Sequence, residues 1–157
     1  MKTRSVKWVI MAMALLSMAM PFTAKAQDKV EASVGVDLVS GYVWSGQDLG
    51  GVSLQPNASI AYKGFSLGAW GSVGIESSDT KEFDLILGYS TGGFSISVTD
   101  YWYNVTGDGV TAKYFQYGAH NVANSHLFEA QIGYDFGPVA VNWYTNFAGD
   151  DGVDKDG

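Results

Sequence analysis

Seven stretches between residues 30 and 147 alternate apolar and polar side chains with a period of two, and this alternation constrains the fold most strongly. Successive side chains of a β-strand point to opposite faces, so a two-residue period describes a strand with one dry and one wet face. The first stretch puts Val30, Ala32, Val34, Val36, Leu38, Tyr42 and Trp44 on one face, and Glu31, Ser33, Gly35 and Asp37 on the other. The same grammar recurs over 54–62, 65–73, 83–89, 94–102, 128–134 and 139–147. With Pro56 counted as apolar, only Ser40, Gly71, Asp100 and Thr145 break the dry faces. A slip of one residue would exchange the two faces, so the register is specified throughout. No helical period follows residue 27, and the chain is expected to be all-β.

The connections alternate in length. Lys63-Gly64, Ser90–Gly93 and Asp135–Pro138 are tight turns, whereas Ser45–Ser53, Gly74–Glu82 and Tyr103–Leu127 are longer. Short turns at one rim and long loops at the other are the plan of an outer-membrane barrel. Tyr42, Trp44, Tyr62, Tyr89, Trp102 and Tyr134 fall near the ends of dry faces, where aromatic rings mark membrane interfaces. The wet faces are rich in Gly, Ser, Asn and Gln, a lining for water. A soluble β-sandwich also alternates, but its outer face normally carries more Lys and Glu and its strands are shorter. The expected fold is therefore an antiparallel transmembrane β-barrel with seven strands in view. A closed barrel of this class has an even number of strands, at least eight. The sequence stops in acidic loop chemistry after an outgoing strand, so these residues are expected to be the N-terminal part of a longer barrel.

Residues 1–26 read as an export signal: a basic start through Lys7, an apolar run from Trp8 to Met20, and Ala24-Lys25-Ala26 before the cleavage point. The apolar run is too short to span a bilayer as a helix. Residues 27–157 form the expected barrel domain, placed in the outer membrane of a Gram-negative bacterium. Beyond the leader the chain carries five lysines, no arginine and all sixteen acids. Such a surface does not suit nucleic acid, whose binding requires basic groups that displace counterions. The chain has no cysteine, which excludes disulfides and thiolate chemistry. The expected partners are outer-membrane lipids, lipopolysaccharide and small solutes.

Several local patterns resemble the TorF family of outer-membrane porins. They are Asp37-Leu-Val-Ser-Gly-Tyr-Val-Trp-Ser-Gly46, Gln55-Pro56, Gly64-Phe65, Gly68-Ala-Trp-Gly-Ser72, Glu82-Phe-Asp84 with Gly88-Tyr89, and Phe128-Glu129 with Gly133-Tyr134. The resemblance spans about residues 36–147, and these motifs are short. It departs at Trp44, where the family commonly has arginine, and in the long Tyr103–Leu127 loop. It implies passive transport through a barrel longer than this chain.

By parity Glu31, Asp37, Asp84 and Glu129 face the lumen with no basic residue among the inward positions, which favours cations or neutral solutes. The alternative is that they pair with lysines on further strands and plug the barrel. A second function is surface binding by the 103–127 loop, whose Tyr103, Tyr114, Phe115 and Tyr117 form either a binding patch or a constriction. Asp100 on a dry face is expected either to turn inward at a Thr99-Asp100 bulge or to lie at the rim. Catalysis is not expected. His120 and His126 fall in the long loop, Ser125 faces away from its neighbour His126, and Glu129 lies on the opposite face. Asp150, Asp151, Asp154 and Asp156 lack the order of a calcium loop and read as solvated, and no cofactor motif is present.

Overall fold

The computed structural model describes residues 29–44, 47–76, 79, 81–106, 109–117 and 124–149. The leader, His120 and the acidic stretch from Asp150 lie outside these. Every regular element described is a strand: β1 (Glu31–Val39), β2 (Tyr42–Trp44), β3 (Gln47–Gly50), β4 (Ser53–Tyr62), β5 (Phe65–Gly74), β6 (Lys81–Thr91), β7 (Phe94–Tyr103), β8 (His126–Asp135) and β9 (Ala140–Gly149). Seven of them form one antiparallel sheet in the order β1-β4-β5-β6-β7-β8-β9, and β2 pairs with β3 as a separate hairpin.

The alternation sets the register that the pairing shows. Leu38 opposes Leu54, Ile60 opposes Leu67, Leu67 opposes Leu87, and Leu87 opposes Val98. Val98 then meets Ala130, and Ile132 meets Trp143, so one apolar face runs unbroken across all seven strands. The other face carries rows such as Ser33–Ser59–Gly68 and Ser66–Gly88–Ser97–Gln131.

Two turns show why the short connections are short. Lys63 and Gly64 both have positive φ, 50° and 86°, between the opposed pair Tyr62 and Phe65. Gly92 and Gly93, at 55° and 86°, do the same between Thr91 and Phe94. A two-residue hairpin needs φ above zero at both central positions to match the twist of its strands.

Burial is inverted relative to a water-soluble protein. On the apolar face Val34 is 86% exposed and Leu87 60%. On the polar face Ser53, Gln55, Ser66, Ser72, Glu82, Asp84 and Ser90 are buried. Tyr42 and Ala112 are the only buried hydrophobic residues among those described. A flat sheet would leave both faces equally open, so the strands curl toward the polar side and its side chains shield one another.

Two expectations are corrected. The first strand does not continue to Trp44: its ladder with β4 ends at Val39 opposite Ser53, and the chain turns at Ser40-Gly41 into the β2–β3 hairpin. Nor is there a bulge at Thr99-Asp100. β7 runs through both residues in register with β6 and β8, and the irregularity lies one pairing further on, where Phe147 is the extra residue between Glu129–Asn146 and Phe128–Ala148.

Candidate functional site

The polar face concentrates its charge at the end of β6 that faces the long loops. Glu82 and Asp84 stand two residues apart, so both point to this face. Ser72 of β5 and Tyr103 of β7 lie directly opposite Glu82, while Trp70 and Tyr101 lie opposite Asp84. Tyr42 completes the group from the β2–β3 hairpin, donating its hydroxyl to Glu82 Oε2 at 2.7 Å. Its ring meets Trp70 with 5.5 Å between centroids. Gln55 Nε2 donates to Ser72 Oγ at 3.4 Å, and Tyr101 donates to Glu129 Oε1 at 3.0 Å. Glu82 is 4% and Asp84 5% exposed, yet Glu82 Oε1 and Asp84 Oδ1 have no hydrogen-bond partner.

The sequence-derived lumen candidates are divided by this arrangement. Asp84 is buried and the half-buried Glu129 accepts from Tyr101 on the same face, whereas Glu31 and Asp37 are exposed on β1, an edge of the sheet, opposite Ala61 and Gln55. Glu82 is not among the lumen candidates that the sequence supplies, because regular alternation begins at Phe83. The acid at the end of its run was the available signal.

The aromatic set also divides. Tyr62, Tyr89 and Tyr134 gather on the apolar face at the short-turn end, joined by Phe65, Phe94 and Phe136, with Phe65–Tyr89 centroids 4.7 Å apart and Tyr134–Phe136 4.6 Å apart. Trp102 lies on the same face at the long-loop end, opposite Phe83. Tyr42 is corrected: turning out of β1 carries it to the polar side, where Glu82 accepts its hydroxyl. Trp44 pairs with Gln47 through its backbone, and its side chain lies outside the described residues.

The long loop does something the pattern did not indicate. Of its described parts, 104–106 and 109–117, the second carries Tyr114 and Tyr117 back as a strap over the apolar face. Tyr114 packs against Phe83, Trp102 and His126 at 5.4, 5.8 and 5.2 Å between centroids, and Tyr117 stacks on His126 at 4.0 Å. Burial raises the Tyr114 phenol above its ordinary range, and Tyr117 adds to the rise. His126, expected in a solvated loop, is instead the first residue of β8 and 0% exposed. Its Nδ1 shares a hydrogen with Asp100 Oδ1 at 2.7 Å, and Nε2 donates to the Tyr114 carbonyl at 2.6 Å. Asp100 therefore stays on the apolar face, near the end of β7, covered by the strap and partnered by histidine. Ser125 donates to the Tyr103 carbonyl, away from the imidazole. Both ring nitrogens are occupied, so the pair is built as a clasp.

Comparison with known protein families, curated proteins and solved structures gives no match.

Proposed function

We propose that this chain forms an outer-membrane β-barrel, exported by a leader cleaved after Ala26, that acts as a porin-like channel for passive diffusion of small solutes. The observation that carries the reading is the inverted burial: apolar side chains left open on all seven strands, opposite a polar face that is buried along β4–β6 and exposed on the edge strands β1 and β9. A soluble monomer rarely exposes a contiguous apolar patch beyond a few hundred Å². A lipid-facing sheet requires one. The strand lengths also suit it, since ten residues span about 33 Å, or roughly 25 Å of height at the tilt of an outer-membrane strand. The aromatic groups at both ends of the apolar face, and the resemblance to TorF porins, support the same reading.

Closure would need further strands. The seven strands alternate, so β1 and β9 run the same way, and an antiparallel barrel needs an odd number of further strands between them. Lipid tolerates no unpaired strand edge, which makes those strands a requirement of the reading.

The channel favours cations or neutral solutes, because Glu82, Asp84 and Glu129 lie on the polar face without a lysine or arginine partner among the described residues. The test is single-channel conductance with reversal potential in a salt gradient, on full-length protein. Discrete steps with cation preference are expected. Anion selectivity, or silence from demonstrably folded protein, overturns the channel.

A second reading, surface binding through the 103–127 loop, draws on the strap. Phe115 is 87% exposed, and its neighbours Tyr114 and Tyr117 pack on apolar-face residues.

A further inference from the structure

We propose that Glu82 and Asp84, with Tyr42, Trp70 and Tyr103, form a binding site on the polar face for an organic cation of the primary alkylammonium class. This rests on the barrel reading only in taking the polar face as the side reached by aqueous solutes.

The starting point is an imbalance. Buried acids are normally paired, hydrogen-bonded or bound to a cation, because an isolated charge away from water is costly. Here two adjacent side chains, each at least nine-tenths buried, keep one carboxylate oxygen apiece without a partner. The only ion pair among the described residues, His126–Asp100, lies on the other face. Lys81, next to Glu82 in sequence, is exposed and points to the opposite side of β6.

Three features select the ligand. A primary ammonium has three N–H donors and no acceptor, and Glu82 Oε1, Asp84 Oδ1 and a flanking tyrosine hydroxyl supply three acceptors. The tilted Tyr42–Trp70 pair beside the acids offers aromatic surface, which attracts an alkylammonium and packs its carbon chain. No group of three or more acids or histidines converges among the described residues, so a dedicated metal cage is absent there. The Tyr42 hydroxyl holds Glu82 Oε2 and leaves Oε1 for the ligand.

The test is calorimetric titration of folded, full-length protein in detergent at neutral pH and constant ionic strength. n-Butylammonium chloride is expected to bind saturably, while n-butanol and potassium chloride do not. Tetraethylammonium, which lacks N–H donors, is expected to bind about tenfold more weakly or worse. Glu82→Gln and Asp84→Asn are each expected to weaken n-butylammonium about tenfold, while Lys63→Ala, in a turn at the far end, leaves it unchanged. The ligand series on the unmodified protein decides the matter if either variant fails to fold. Absent saturable binding, equal binding of potassium or butanol, or binding that survives both acid substitutions overturns the site. The first of these outcomes means that the two acids share a proton instead. Binding without conductance keeps the site and removes the channel; conductance without binding does the reverse.

Discussion

Asp100 is the residue whose chemistry conflicts most openly with its place. A carboxylate on an apolar surface is expensive, and the sequence pattern isolates it as the one charge on a dry face. What the pattern does not contain is its partner. His126 lies 26 residues away across a loop, and no local period links the two. The structure resolves the conflict without moving the acid: histidine approaches from the neighbouring strand, and Tyr114 and Tyr117 cover the pair. His126→Ala removes that partner while leaving Asp100 under the strap, so it is expected to destabilise the folded protein by about 3 kcal/mol. Urea unfolding in detergent micelles measures this, and Ser125→Ala, whose hydroxyl reaches only the Tyr103 carbonyl, should cost much less. Equal losses would mean that the imidazole contributes no more than the Ser125 hydroxyl does.

Among the elements, the strands of the large sheet are the most legible, since a two-residue period over ten residues leaves little choice of face. The hairpin β2–β3 is the least. Apolar alternation continues through Tyr42 and Trp44, and nothing local distinguishes a strand that continues from one that turns at Gly41. Only the Glu82 carboxylate and the Trp70 ring, both distant in sequence, account for Tyr42 turning to the polar side. The tight turns were legible in their residues, and they make a sharp prediction about glycine. At Gly64 the backbone has φ of 86°, and an added Cβ would lie 2.5 Å from the Ser90 carbonyl oxygen. Gly92 has φ of 55° with open space around it. Gly64→Ala is expected to cost about 1–3 kcal/mol, whereas Gly92→Asn should stay within about 0.5 kcal/mol because asparagine tolerates this conformation. Unfolding midpoints of the two variants check the contrast, and reversed sensitivities would contradict the turn geometry.

For the molecule as a whole, the inverted faces turn an ordinary intuition about surface substitutions around. Ser33 and Val34 are neighbours in β1 and both exposed, so in a water-soluble sheet a lysine at either would be harmless. In a bilayer Val34→Lys is expected to cost about 2–4 kcal/mol and Ser33→Lys less than about 1 kcal/mol. Folding into phosphatidylcholine vesicles across a urea series reads the difference, and equal tolerance would argue for a soluble sheet. The sequence conveys strand order through its alternation of short and long connections. Curvature and the outward fold of the strap depend on contacts between distant residues, and no single stretch carries them. The strand order has a consequence for growth. Each strand of the large sheet pairs only with the one before and the one after it along the chain. Such a ladder extends like a zip from either margin: a further hairpin added beside β1 or β9 widens the sheet by two strands while leaving every described pairing in place.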